Sequence, residues 1–154
     1  MRQVLIKDLA ELEKFAARYA SGLRGRDLIG LVGDLGAGKT AFVKALAKAV
    51  GVKKAVRSPT FILMQLLKVG AAFKKKTGIS RLCHVDAYRL KNEDEFYAIG
   101  FGDYVDREDT VVLVEWADRV PSVRWLDHYR EIKFAFGAGD ARILTLDDGP
   151  SEEG

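Results

Sequence analysis

The stretch "GDLGAGKT", Gly33 to Thr40, constrains this chain more than any other part of it. It fits the pattern Gly-x4-Gly-Lys-[Ser/Thr], filled here by Gly33, Asp34, Leu35, Gly36, Ala37, Gly38, Lys39 and Thr40. Average residue frequencies put a chance match at roughly one position in 30,000. The setting is also the one such a loop requires: a short apolar strand, "DLIGLVG", runs into it, and "TAFVKALAKAV" leaves it as a helix ended by Gly51. Glycines let a backbone turn its N–H groups inward toward phosphate without side-chain clashes. The N-terminus of the following helix adds unpaired N–H donors and its dipole. A lysine at Lys39 would neutralise charge on the β and γ phosphates, and the Thr40 hydroxyl would reach Mg²⁺. By itself the loop specifies a nucleoside triphosphate site.

The elements around it follow from periodicity. "RQVLIK" reads as a short strand, and "DLAELEKFAARYASGL" as a helix with Leu9, Leu12, Phe15, Ala16, Tyr19 and Leu23 at helical spacing. Asp8 followed by Glu11 resembles a capping box, and Gly22 and Gly25 mark the end. "FILMQLL" and "RLCHVDAY" read as strands joined by a segment rich in lysine and glycine, and "NEDEFYAIG" as a short helix with acids in its first turn. "TVVLVEW" is a continuous apolar run of the kind found in buried parallel strands. "YREIKFAF" and "ARILTL" pair across "GAGD" as a hairpin. The pattern predicts an α/β fold of the P-loop NTPase type, three layers deep. Its central sheet is mostly parallel, with helices on both faces and a C-terminal antiparallel hairpin.

With 154 residues the chain is long enough for one domain with a real core and too short for two ordinary ones. That domain is assigned to 1–147, with 148–154 as a disordered tail. No apolar run approaches the roughly 20 residues that span a bilayer. The N-terminal "MRQVLIKDLAELEKF" meets charge too early for a signal peptide, so a cytoplasmic location without membrane contact is expected. Cys83 is the only cysteine, which excludes an internal disulfide and a cysteine-rich metal site. Adjacent strand residues face opposite ways, so Cys83 and His84 cannot converge on one ion, and Cys83 is expected in the core. The net charge of +3 gathers in two clusters: Lys53, Lys54 and Arg57, then Lys74, Lys75 and Lys76. Solvated loop charge is the plain reading of these; a nucleic-acid or acidic-partner surface is the alternative.

A phosphate loop needs an acid at the end of a neighbouring strand to hold Mg²⁺. Asp86 ends "RLCHVD" and Glu115 ends "TVVLVE", so both could stand at the carboxyl edge of a parallel sheet, where ligands bind in such folds. Position along the chain does not say which of the two touches the metal.

At this point five motifs carry a resemblance. "GDLGAGKT", "SPTF" from Ser58, "HVDAYRL" from His84, "IGFGDYV" from Ile99 and "LVEWADR" from Leu113 occur in the order and rough spacing of the TsaE (YjeE) family. These are P-loop ATPases of tRNA threonylcarbamoyladenosine (t6A) biosynthesis, and the likeness runs from about residue 8 to residue 145. The resemblance implies ATP bound with Mg²⁺, the metal held by Thr40 and Glu115. It implies that Asp86 lies near the γ-phosphate to orient or activate water, and that Ser58, Pro59 and Thr60 form a switch that senses that phosphate. Trp116 is expected beside the site, and Asp8 and Gly139 near the base. It further implies partners: the TsaD and TsaB proteins, of which TsaD transfers threonylcarbamoyl to a tRNA adenosine while slow ATP hydrolysis resets or sustains the cycle. Contact with tRNA is direct or indirect. Two stretches depart from the family: "ILMQLL" is less polar than usual, and "KVGAAFKKKTGIS" is longer and more basic.

Two other classes fit a phosphate loop. A small-molecule or nucleoside kinase would need an acceptor pocket and an arginine-rich lid, whereas "KKKTGIS" offers lysines with only Arg81 near. A nucleotide-gated binding module without useful turnover would not need the spare acid Asp86. A GTPase is disfavoured by the lack of an Asn-Lys-x-Asp segment. Arg57, Arg89 and Arg119 are the candidates for an arginine finger, each also readable as a surface residue, and a partner could supply that charge instead.

Overall fold

The computed structural model describes residues 1–57 and 64–147, and within them seven strands join in one sheet. In chain order the elements are β1 (Arg2–Ile6), α1 (Leu9–Ser21), β2 (Leu28–Gly33), α2 (Lys39–Ala49), β3 (Met64–Lys68), α3 (Ala71–Thr77), β4 (Arg81–Asp86), α4 (Glu93–Ala98), β5 (Thr110–Glu115), β6 (Tyr129–Phe136) and β7 (Arg142–Asp147). Spatially the strands run β1-β7-β6-β2-β5-β4-β3. The inner four, β6-β2-β5-β4, are parallel, and β3, β7 and β1 complete the edges antiparallel. The predicted mostly parallel centre and C-terminal hairpin are both present.

Strand alternation builds two cores. Ile29 and Leu31 of β2 and Val111 and Leu113 of β5 pack with α1 and α2 on one face. Leu28, Val112 and Val114 pack on the other with Phe96 of α4 and Phe101 of a following 3-10 turn. Every residue of β5 is buried, which is why it reads as an unbroken apolar run. The same alternation sends Cys83 into the second core, where burial pushes its thiol up to about 12. His84 faces the other way, as expected.

Helix α1 begins where its caps predict. The Asp8 carboxylate accepts the Glu11 N–H at 2.9 Å, and Glu11 reaches back to the Lys7 N–H at 2.7 Å, one residue earlier than an ideal capping box. Phe15 and Tyr19 then meet Phe42 of α2, with ring centroids 5.9 and 5.6 Å apart.

Gly25 has a different reason from the helix-end role assigned to it above. A Cβ there would lie 1.7 Å from the Glu108 carbonyl oxygen, because the turn before β2 presses on the turn before β5. Arg26 N–H seals the contact to the Arg107 and Thr110 carbonyls at 2.9 and 3.0 Å. Gly25→Ala is therefore expected to cost about 2–4 kcal/mol of stability through forced backbone displacement. Urea unfolding checks this, and a parental midpoint would show that the two turns separate freely.

The basic connection between β3 and β4 is more ordered than the sequence suggests. It forms α3, closed by Gly78 at φ 79°, whose N–H bonds the Lys74 carbonyl at 2.8 Å. Its lysines occupy the last turn, where the helix dipole favours cations. A single half-buried anchor, Phe73, shows no periodicity to read. Of "FILMQLL", the part from Met64 onward is β3; positions 61–63, the switch residues Ser58, Pro59 and Thr60, and the tail 148–154 lie outside the described residues. Among the described residues no helix is long and apolar enough to cross a membrane.

Candidate functional site

The loop between β2 and α2 needs its glycines for geometry. Gly33, Gly36 and Gly38 stand at φ 151°, 81° and 112°, and a Cβ on Gly33 would sit 2.4 Å from the Phe134 carbonyl oxygen. Gly38 is the α2 N-cap and makes no side-chain cap bond, which leaves the first-turn N–H groups of α2 without that competitor. Lys39, only 4% exposed, curls back so that its Nζ donates to the Gly33 carbonyl and, at 2.9 Å, to that of Asp34. The ammonium also lies 3.9 Å from the centroid of the Trp116 indole. Burial lowers the Lys39 pKa, an effect opposed by Glu115, Asp118, Asp34 and Asp86.

The two candidate acids are neighbours. Parallel pairing of β4 with β5 places Asp86 opposite Glu115 at the carboxyl edge, one strand from the loop that leaves β2. Their environments differ. Glu115 is 2% exposed, accepts the Thr40 hydroxyl on Oε1 at 2.7 Å, and meets His84 Nε2 with Oε2 at 2.5 Å. Asp86 is less enclosed, and its Oδ1 accepts the Tyr88 N–H at 2.9 Å. Burial raises the Asp86 pKa and the Glu115 charge adds to this, while the Tyr88 bond works against it. The tertiary structure distinguishes the two by contact: Glu115 is the acid joined to Thr40. A hydroxyl and a carboxylate are the hard oxygen donors that Mg²⁺ takes, with the rest of its shell left to phosphate and water. Among the described residues no cluster of three or more His, Cys, Asp and Glu forms a fuller metal cage.

A cleft of about 400 Å³ opens over these groups, lined by Leu35, Gly36, Gly38, Lys39, Thr40, Ala41, Asp86, Tyr88, Arg89, Glu115 and Trp116. Trp116 holds φ 60°, a left-handed conformation uncommon for a non-glycine residue. Its N–H donates to the Leu31 carbonyl at 2.9 Å. Tyr88 packs on it at 4.9 Å, and the Arg119 guanidinium caps both rings at 4.9 and 5.6 Å. Of the three candidate finger arginines, Arg119 is thus stacked on the rim and Arg89 lines the cleft. Arg57 is exposed, its N–H donating to Gln65 Oε1 at 3.1 Å.

Because Trp116 touches Lys39, ligand phosphate that draws the ammonium away should change its emission. With Trp125, the exposed second tryptophan, replaced by phenylalanine, Mg-ATP is expected to shift Trp116 fluorescence saturably. A flat titration under conditions of demonstrated binding would show that Lys39 does not move.

Asp8 and Gly139 stand at the same sheet edge as the loop, after β1 and between β6 and β7, but neither lines this cleft, and Asp8 is engaged as the α1 cap. Three residues that matter here had no role in the sequence reading. His84 backs Glu115, and its spacing of two from Asp86 on a strand was the signal that both share a face. Tyr88 packs on Trp116. Arg142 ties the hairpin to the loop, its Nη2 donating to the Gly36 carbonyl at 3.4 Å and its guanidinium lying 4.6 Å over Phe136; no local pattern announces that contact. A second cleft, about 570 Å³, lies at the far end of the sheet, where α2 ends and α3 begins, and Lys53, Lys54 and Lys68 line it with no acid among them.

Comparison with known proteins shows the family and the fold. The family model described as "Threonylcarbamoyl adenosine biosynthesis protein TsaE" matches residues 6–143. The chain is 39% identical over 121 residues to the tRNA threonylcarbamoyladenosine biosynthesis protein TsaE of Aquifex aeolicus, covering 77% of this chain and 79% of that one. Its likeness to the protein of the same description from Mycobacterium tuberculosis is 34% over 142 residues, covering 88% and 80%. The crystal structure of YdiB from Bacillus subtilis superposes with a TM-score of 0.73 at 25% identity, over 96% of this chain and 86% of that one.

Proposed function

The chain belongs to the TsaE family of threonylcarbamoyl adenosine biosynthesis proteins, and from that premise we propose that it binds Mg-ATP in the cleft above Lys39 and hydrolyses it slowly, driving or resetting tRNA threonylcarbamoyl transfer. The observation that carries this reading is the corner made by Thr40, Glu115 and Asp86 at the mouth of the phosphate loop. A simple anion site would need the loop and Lys39, but no pair of carboxylates beside them.

The backbone N–H groups of Gly33 to Thr40 hold the phosphates, and Lys39 exchanges its loop carbonyls for phosphate oxygens. Thr40 and Glu115, whose hydroxyl and carboxylate oxygens meet at 2.7 Å, would hold Mg²⁺. When bound, the metal would neutralise charge on the phosphates and so favour departure of ADP. Asp86 orients a water toward the γ-phosphorus and takes its proton as the new P–O bond forms and the bond to the β-phosphate oxygen breaks. A carboxylate whose pKa is raised by burial is a better proton acceptor than an exposed one. Switching would fall to Ser58, Pro59 and Thr60, as the family resemblance implies. The partners would be TsaD and TsaB, with tRNA contact, direct or through those proteins, supported by the lysine-lined second cleft.

Reconstitution tests this. With ATP and Mg²⁺, the protein is expected to let a TsaD–TsaB preparation form t6A over many turnovers, where that preparation alone stops early. Failure to sustain turnover would reject the role. ATP-dependent phosphorylation of nucleosides or other small molecules well above the rate of ATP hydrolysis would establish a kinase instead.

A further inference from the structure

His84 is unlike the other polar residues of the site. It is 1% exposed, lies behind Glu115 and does not line the nucleotide cleft. Its Nε2 is 2.5 Å from Glu115 Oε2, while its Nδ1 is buried with no hydrogen-bond partner among the described residues. An ionised carboxylate oxygen can only accept, so the proton of the contact sits on Nε2. The other nitrogen is then the one without a hydrogen, the less costly of the two to leave alone in a buried place. Glu115 therefore has both oxygens engaged: Oε2 by the imidazole from behind, Oε1 by the Thr40 hydroxyl in front.

We propose that His84 is a positioning residue for the metal: by pinning Oε2 of Glu115 it keeps Oε1 turned toward Thr40, so that hydroxyl and carboxylate oxygen face the cleft as a ready pair. The proposal rests on the reading of the cleft as a Mg-nucleotide site. Without the imidazole, Glu115 would be a buried carboxylate with one neutral partner. It would then be free to turn toward the Lys39 ammonium, on which it acts more strongly than does any other acid. Turning toward Lys39 would take the carboxylate from Thr40 and break up the oxygen pair. His84 prevents this collapse with a bond made by a rigid ring on the neighbouring strand.

The test separates metal binding from nucleotide binding. Affinity for a fluorescent ATP analogue is measured in EDTA and across a Mg²⁺ titration, for the parent, His84→Leu, His84→Asn and His84→Gln. His84→Leu removes the donor but fills the space. It is expected to raise the Mg²⁺ concentration for half-maximal tightening about 10- to 100-fold, with metal-free affinity within about twofold of the parent. His84→Asn, whose amide is too short to reach Glu115, should behave alike and stands in if the leucine variant does not fold. His84→Gln, with a longer amide donor, should recover to within about threefold of the parent. A parental Mg²⁺ midpoint in a folded leucine or asparagine variant overturns the proposal. So does an equal loss with and without Mg²⁺, which would mark a structural role only. A parent protein with no Mg²⁺-dependent nucleotide binding would instead overturn the reading of the cleft itself.

Discussion

In the Asp86→Asn variant, ATP hydrolysis is expected to fall by about 100- to 10,000-fold, the contribution of a positioned proton acceptor, while Mg-ATP binding stays within about threefold of the parent. The substitution keeps an oxygen able to accept the Tyr88 N–H and removes only the charge and basicity. Single-turnover hydrolysis and equilibrium binding measured side by side check the split. Unchanged hydrolysis would remove Asp86 from the chemistry and leave a nucleotide-gated module as the better account.

The same residue is expected to set an acid limb. Its pKa is raised, chiefly by burial and then by Glu115, so the basic form is lost as pH falls through a value above the ordinary 3.8. The rate should decline on that side and the asparagine variant should lack this limb. Stability runs in the opposite sense. A carboxylate with a raised folded-state pKa contributes its full stability below the ordinary value and loses it as pH rises through the raised one. At neutral pH the ionised Asp86 therefore opposes folding. Asp86→Asn is expected to melt at or above the parental temperature at pH 7, and the difference should vanish toward pH 3.8, the ordinary aspartate value. A variant that melts well below the parent at pH 7 would contradict the burial argument.

Lys39→Ala is expected to weaken Mg-ATP binding by about 100-fold or more, the loss of charge-assisted hydrogen bonds to two phosphates. Its effect on the free fold should be far smaller, because two terms oppose. The variant relieves an ammonium whose charged form burial disfavours, yet it leaves the Gly33 and Asp34 carbonyls without their donor. Calorimetric titration with Mg-ATP, alongside a circular dichroism melt, reads both. Parental affinity would mean that phosphate is held by backbone alone, and a collapsed melt would mean that Lys39 is chiefly a structural strut.

Much of this was legible along the chain. The phosphate loop, the strand before it and the helix after it depend on residues a few positions apart: glycines at positive φ, an apolar strand, helical spacing in α2. The α1 cap at Asp8 and the buried run of β5 are equally local. Two features resisted for opposite reasons. Helix α3 has too few apolar residues to show a period, so its lysines read as loop. Gly25 read as helix punctuation because the Glu108 carbonyl that requires it comes from a distant turn.

Local chemistry thus determined by itself that this chain carries a glycine-rich loop between an apolar strand and a helix, with two strand-ending acids elsewhere, since each of these is a property of a short segment. Only the tertiary structure decided which groups each acid meets. Glu115 is joined to Thr40 and backed by His84, whereas Asp86 remains in the cleft with a raised pKa. That division depends on the order and register in which β4, β5 and β2 pair. The pairing is settled by the packing of side chains far apart in sequence, which no single segment contains.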